Sequence, residues 1–82
     1  MAITIHSQPN CVNCDVTKAL LDKKGVEYNL IDMVDEPEIG AAIKAEGWMQ
    51  APVVKVDLPG LKTEWDGINF EKLRQAVAAA QS

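Results

Sequence analysis

The sequence has little of what builds a metal centre or a disulfide-stapled core: two cysteines and one histidine among 82 residues. A structural zinc site takes four ligands, almost always Cys or His, and these three residues are too few to supply it. A disulfide between Cys11 and Cys14 would close a loop too short to remove much chain entropy. We therefore expect no bound metal, no cofactor and none of the disulfide frameworks that stabilise small secreted domains.

Long apolar runs and an excess of positive charge are also missing. No apolar run approaches the roughly 20 residues that a membrane-spanning helix requires, and residues 1–5 lack the basic lead of a secretion signal. Lys and Arg number 8 against 12 Asp and Glu, a net charge of −4, whereas nucleic-acid phosphates select for basic patches. We expect a cytoplasmic protein with no membrane partner and no nucleic-acid partner.

The composition that remains is that of a small globular protein. Hydrophobic residues make up 48% of the chain and charged residues 24%, both ordinary values. The length lies within the range of a single domain. We expect one domain over residues 1–82, acting as a monomer.

Hydrophobic patterning and turn residues predict four strands and three helices. The strands are predicted at residues 2–6, 26–31, 53–56 and 61–65. The first helix is predicted at residues 12–24, with Gly25 as its C-terminal glycine. A second helix is predicted to start around Pro37 and to end at Gly47, and a third is predicted to be capped by Asn69.

The predicted order is βαβαββα. Two strands joined by a helix should be parallel, with a right-handed crossover. The last two should form a hairpin, because Pro59 followed by Gly60 favours a type II turn. We therefore expect an α/β fold with a four-stranded mixed sheet flanked by three helices, and with Cys11 and Cys14 at the start of the first helix.

Both cysteines lie in one motif, Cys11-Val12-Asn13-Cys14, between a predicted strand and a predicted helix. A Cys-x-x-Cys in that position is typical of thioredoxin-like redox proteins. A helix N-terminus stabilises an anion, which favours the thiolate of Cys11. Our hypothesis is that Cys11 attacks a target disulfide and that Cys14, one turn further into the helix, resolves the mixed disulfide.

Three segments resemble the glutaredoxin branch of the thioredoxin superfamily and, within it, the NrdH redoxins. They are residues 11–14 (Cys-Val-Asn-Cys), 47–54 (Gly-Trp-Met-Gln-Ala-Pro-Val-Val) and 65–70 (Trp-Asp-Gly-Ile-Asn-Phe). Asn13 stands where the NrdH motif usually has Gln. The third segment keeps only Trp65 and Gly67 of the family's Trp-Ser-Gly-Phe-Arg-Pro, which puts in doubt the hydrogen bonds that the family's Arg makes at position 69.

The resemblance implies a thioredoxin/glutaredoxin-like fold and a function in electron transfer. The protein would carry electrons from thioredoxin reductase to the large subunit of class Ib ribonucleotide reductase. The resemblance also implies a cis Ala51–Pro52 bond facing the cysteine pair, with the Ala51 backbone pairing with a substrate strand. The residues expected to bind substrate are Val12, Asn13, Trp48, Gln50, Ala51 and Pro52.

Two alternatives stay open from the sequence. One is a glutathione-dependent glutaredoxin, although residues 7–10 contain no Lys or Arg to hold the carboxylates of glutathione. The other is a thioredoxin-fold binding module or an iron–sulfur scaffold. The sequence also leaves open whether the protein is an oxidoreductase enzyme in its own right or an electron donor to other enzymes.

Overall fold

Strands and helices alternate through residues 2–82, the part of the chain that the computed structural model describes. The strands are β1 (Ala2–Ser7), β2 (Asn29–Asp32), β3 (Val53–Leu58) and β4 (Leu61–Asp66). The helices are α1 (Val12–Lys23), α2 (Pro37–Ala45) and α3 (Phe70–Ala80). The predicted βαβαββα order is confirmed.

The four strands form one mixed sheet in the order β2-β1-β3-β4. β1 runs parallel to β2, whereas β3 runs antiparallel to both β1 and β4. As a result β1, β2 and β4 finish at the same end of the sheet at which β3 begins. We call this the cysteine end, because the loop that leaves β1 there leads directly to Cys11.

The two faces of the sheet differ in character because side chains alternate along a strand. One face carries the apolar core, in which α1 and α3 cover the strands through Leu21, Leu73 and Ala76. The strand residues of that core are Ile3, Ile5, Val54, Val56 and Trp65.

The second face is more polar and is covered by α2. Ile43 of α2 and Val53 of β3 line the same groove, and the Lys55 ammonium bonds the Glu46 carboxylate at 2.8 Å just beyond the end of α2. This arrangement places α2 on the side of the sheet opposite to α1 and α3.

Helix α1 ends in a Schellman motif at Gly25, as the sequence predicts for that glycine. Gly25 has φ +69°; its N–H bonds Asp22 O at 3.0 Å, and the N–H of Val26 bonds Leu21 O at 3.0 Å. The prediction of a strand from residue 26 is wrong, because the backbone of Val26 still completes the helix end. β2 therefore starts at Asn29.

Helical spacing alone would place Val12, Val16, Ala19 and Leu20 in one apolar stripe, but the buried side of α1 is a different one. The buried residues are Cys14, Thr17 and Leu21, whereas Val12 is 74% exposed. Thr17 can be buried because its hydroxyl donates a hydrogen bond to Asn13 O at 2.9 Å. This rotation of the helix places Cys14 towards the interior.

The connections after β3 follow the predicted turn chemistry. Leu58 pairs with Leu61 across a two-residue loop, and Gly60 has φ +84°, which suits the third position of a type II turn. Asn69 caps α3 by accepting a hydrogen bond from Lys72 N at 2.9 Å.

Among residues 2–82, no helix combines the length and apolar character needed to cross a bilayer.

Candidate functional site

Cys11 and Cys14 form a disulfide, and their Cα atoms are 5.2 Å apart. Cys11 is the N-cap of α1, with extended backbone angles, and its Sγ accepts a hydrogen bond from Cys14 N at 3.0 Å. Cys11 is half-buried, whereas Cys14 is only 1% exposed. A partner approaching from solvent therefore meets Cys11 first.

The loop before Cys11 turns the chain sharply from β1 into α1. Asn10 adopts φ +58°, a left-handed conformation that Asn tolerates better than most residues. The turn lets the carbonyl of Cys11 accept the first backbone bond of the helix, from Asp15 N at 3.1 Å. The sulfur of Cys11 thus lies where the unpaired N–H groups of a helix favour negative charge.

The Ala51–Pro52 peptide bond is cis, as the family resemblance implied. Pro52 is fully buried directly before β3, and its carbonyl accepts a hydrogen bond from Gly67 N at 2.9 Å. Within residues 2–82, neither the N–H nor the C=O of Ala51 has a hydrogen-bond partner outside regular strand pairing. Because β3 begins at the end where β1 finishes, Pro52 and Cys11 lie at the same end of the sheet.

Asp66 organises the loop in front of Pro52 and was not among the residues that the sequence singled out. One of its carboxylate oxygens, Oδ2, accepts hydrogen bonds from both Met49 N and Gln50 N, each at 3.0 Å. Asp66 is the last residue of β4 and pairs with Val53 of β3. The sequence did hold a signal: an acid at a position where the family pattern quoted above has Ser.

A groove of about 470 Å³ runs between α2 and this loop. Three of the residues expected to bind substrate line it: Trp48, Gln50 and Ala51. The other three do not line it: Val12 and Asn13 are exposed on the first turn of α1, and Pro52 is buried. The structure therefore brings the expected residues to one end of the sheet but not into one pocket.

Exposed apolar side chains gather around the same end. Among residues 2–82, five large apolar side chains are exposed, and four of them follow β1, β2 or β4 or precede β3. These four are Val12, Val34, Met49 and Phe70. The fifth, Leu30, lies within the edge strand β2. Singly exposed apolar side chains are common on protein surfaces, but four of the five lie at the end of the sheet that carries the cysteines.

Trp48 is fixed by a small charged cluster on the second face of the sheet. Its indole N–H donates to Glu46 Oε1 at 2.9 Å. The hydrogen bond from the Lys55 ammonium, and next the one from Trp48, hold the pKa of Glu46 below its ordinary value. Glu46 is therefore an anion at neutral pH, and Trp48 is oriented by a charged acceptor.

His6, the single histidine, is buried beside β3, and its Nδ1 lies 3.0 Å from Val53 O. It stands apart from other metal-binding residues: within the described part of the chain, His, Cys, Asp and Glu form no group of three that could hold a metal ion.

A helix-capping cysteine with a buried partner, at one end of a βαβαββα mixed sheet, defines a thiol–disulfide redox protein of the thioredoxin fold. Comparison with known families agrees, since the Glutaredoxin family model matches residues 3–58. The glutaredoxin-like protein NrdH of Escherichia coli K12 is 37% identical over 54 residues, which cover 66% of this chain and 67% of that protein. The corresponding protein of Lactococcus lactis subsp. cremoris is 29% identical over 55 residues, 67% of this chain and 76% of that protein.

Solved structures agree with the sequence relatives. The NrdH-redoxin of Escherichia coli matches with a TM-score of 0.81 and 31% identity, covering 92% of this chain and 93% of that chain. A thioredoxin-like protein with 24% identity has a TM-score of 0.72 and supports the fold alone. The chain belongs to the glutaredoxin family, as an NrdH redoxin.

Proposed function

We propose that this protein is an electron carrier that reduces disulfides in other proteins through Cys11 and Cys14. The observation that carries the proposal is the unequal burial of the pair: Cys11 is half-buried at a helix start, while Cys14 is 1% exposed. An accessible attacking thiol and a shielded resolving thiol are what sequential exchange with a large substrate requires.

The reaction proceeds in two exchange steps. The Cys11 thiolate attacks one sulfur of the target disulfide, forming a Cys11–target disulfide and releasing the second target sulfur as a thiolate. The thiolate of Cys14 then attacks Cys11 Sγ, forming the Cys11–Cys14 disulfide and releasing the first target sulfur. The two protons of the protein dithiol end on the two target thiols, so the target gains two electrons and the protein loses two.

The substrate chain would lie along the loop before Pro52. The N–H and C=O of Ala51 are available to pair with an extended segment, in the manner of an added strand. Val12, Asn13, Trp48 and Gln50 would flank that segment, the first two from α1 and the last two from the groove. The buried ring of Pro52 would fix the position of Ala51 opposite Cys11.

Thioredoxin reductase is the proposed source of electrons, and the large subunit of class Ib ribonucleotide reductase is the proposed recipient. The basis is similarity to the NrdH proteins, one of which, from Escherichia coli, is described as having a thioredoxin-like activity profile. A further argument is that residues 7–10 carry no cation for the carboxylates of glutathione. We propose that the protein acts in the cytoplasm as a monomer, with residues 1–82 forming one domain.

A coupled assay tests this electron path. NADPH oxidation is followed with thioredoxin reductase, this protein and a protein disulfide, and in parallel with glutathione and glutathione reductase. We expect turnover in the first system and little in the second. Turnover with glutathione alone would instead identify a glutathione-dependent glutaredoxin, and a brown, iron-containing dimer on purification would identify a cluster scaffold.

The two cysteine variants test the order of attack. Cys14→Ser should accumulate a mixed disulfide between Cys11 and the target, visible by non-reducing electrophoresis and mass spectrometry. Cys11→Ser is the matched control and should form none, because Cys14 is buried. Accumulation of the mixed disulfide on Cys14 in the Cys11→Ser variant would show that the assigned roles are reversed.

A further inference from the structure

The segment between α2 and β3 contains no helix or strand, and it holds Ala51 half-buried at the cysteine end. Its contacts with the end of β4 come from two neighbouring residues. Asp66 Oδ2 accepts from Met49 N and Gln50 N at 3.0 Å, and Gly67 N donates to Pro52 O at 2.9 Å. These three bonds bracket Ala51 on both sides and leave its own backbone groups free of such bonds.

We propose that Asp66 is a positioning residue for protein substrates: its carboxylate holds the Met49 and Gln50 amides so that the Ala51 backbone is ready to pair with an incoming chain. The inference rests on the proposed function, in which Ala51 pairs with an extended substrate segment. Asp66 acts through the loop rather than on the sulfurs, because in residues 2–82 its side chain bonds only those two amides.

A carboxylate suits this position for two reasons. A charged oxygen makes stronger hydrogen bonds to backbone N–H groups than a neutral one does, and here one oxygen accepts two of them. The charge is also uncommitted elsewhere, since among the described residues no Lys, Arg or His lies within ion-pair distance of Asp66. The negative charge of Asp66 is therefore directed at the loop.

The neighbouring glycine shows how closely β4 approaches the same loop. Gly67 has φ +68°, and a Cβ placed on it would overlap the Gln50 side-chain oxygen. Asp66 and Gly67 thus both contact residue 50: Asp66 bonds its backbone amide, and Gly67 lies against its side-chain oxygen. A loop fixed in this way loses little freedom when a substrate strand pairs with it, which favours binding.

Mixed-disulfide formation in a Cys14→Ser background tests the role without any reductase. The rate is measured with two substrates. One is an extended peptide that carries the disulfide Cys11 attacks; the other is the small aromatic disulfide 5,5′-dithiobis(2-nitrobenzoic acid), which has no peptide chain to pair with Ala51. For Asp66→Ala we expect the peptide rate to fall about tenfold, within the range that misplacing a reacting group costs, and the small-disulfide rate to stay unchanged. Asp66→Asn keeps an oxygen acceptor and should recover most of the peptide rate.

Glu64→Ala is the matched control, because it removes one negative charge from the same strand and the same face, and it should leave both rates unchanged. If Asp66→Ala does not fold, Asp66→Ser replaces it and should show the same selective loss. The serine hydroxyl lies one bond nearer the backbone than the carboxylate oxygen and so does not reach the Met49 and Gln50 amides. Equal peptide rates in the Asp66 and Glu64 variants would overturn the proposal, as would a parallel fall in both rates. The two proposals can fail separately. If the coupled assay with thioredoxin reductase shows no turnover but Asp66→Ala still loses the peptide rate selectively, the electron path is refuted and the role of Asp66 stands.

Discussion

The two ends of the sheet differ in how far side chains take part in their hydrogen bonds. At the end opposite the cysteines the chain is closed by backbone pairs: the Schellman bonds at Gly25 and Val26, and the hairpin in which Leu58 faces Leu61. Among residues 2–82, the side-chain hydrogen bonds at that end are exposed, such as the one from Tyr28 Oη to Asp22 Oδ1 at 2.9 Å.

At the cysteine end, backbone pairs such as Gly67 N to Pro52 O are joined by side-chain acceptors, and each of the four connections has at least one N–H group that bonds a side-chain atom. Two of the acceptors bond one N–H group each: Cys11 Sγ bonds Cys14 N, and Asn69 Oδ1 bonds Lys72 N. The other two bond two N–H groups each: Asp32 Oδ1 bonds Val34 N and Asp35 N, and Asp66 Oδ2 bonds Met49 N and Gln50 N. The connections at the cysteine end therefore depend on individual side chains, which substitution can change, whereas the opposite end is closed mainly by the backbone.

The largest expected effect comes from adding a methyl group to a glycine at each end. Gly25 and Gly67 have nearly equal positive φ values, +69° and +68°, but only at Gly67 would a Cβ meet another group, the Gln50 side chain. Alanine at either site should lower the free energy of unfolding by about 1–2 kcal/mol, the cost of left-handed backbone in a residue with a Cβ. Gly67→Ala should in addition slow protein-disulfide reduction severalfold, because the added methyl group would displace the Gln50 side chain in the loop of residues 46–52.

Urea unfolding and the coupled assay measure the two effects separately. Gly25→Ala serves as the control for strain alone, and it should retain the full rate of protein-disulfide reduction. An equal loss of rate in both variants would mean that stability governs activity, whatever the position of the Gln50 side chain. The two ends of the sheet would then not differ in their effect on the reaction.

A smaller effect is expected from exposed apolar side chains. Met49, in the loop of residues 46–52, is 89% exposed, and Leu30, on the edge strand β2, is 50% exposed. If a protein docks at the cysteine end, Met49→Ser should raise KM for a protein disulfide about fivefold, which corresponds to about 1 kcal/mol of contact energy. Leu30→Ser should leave KM unchanged, and a matching rise in both variants would place the docking surface elsewhere.

The smallest effect concerns Glu46, whose pKa is lowered mainly by the hydrogen bond from Lys55. A carboxyl group with a lowered folded pKa adds stability above its unfolded pKa, and that stability is lost as pH falls through the folded value. Glu46→Gln should therefore lower the melting temperature slightly at neutral pH and not at all in strong acid. The effect is small because the group is exposed and screened by solvent; melting curves across the acid range would show whether the difference instead persists at low pH.

The order of elements and the place of the cysteines were predictable because they depend on local signals. Pro37, Asn69 and Gly25 mark helix boundaries by their own backbone chemistry, and each lies at the boundary that the sequence indicated. The start of β2 was not predictable in the same way. Val26 and Tyr28 are apolar enough for a strand, but the backbone of Val26 is bonded to the end of α1.

The roles within the site are less accessible to sequence reasoning. Val12 looks like a core residue by helical spacing and is exposed, because the burial of Cys14 and Thr17 fixes the rotation of α1. Asp66 reads as a residue that merely ends a strand, since its bonds to Met49 and Gln50 bridge 17 and 16 positions. The turn at Pro59 and Gly60 sets the register of β3 against β4, but no local pattern predicts the path of residues 46–52, which brings the Met49 and Gln50 amides to Asp66.

The hydrogen bond from Cys14 N to Cys11 Sγ gives a spectroscopist a direct view of the reaction. The acceptor in that bond is the atom that changes from disulfide sulfur to thiol or thiolate. The amide resonance of Cys14 should therefore shift with both the redox state and the ionisation of Cys11. Because the reporting group is part of the native backbone, a ¹⁵N-labelled sample needs no attached probe to follow the pair through a complete catalytic cycle.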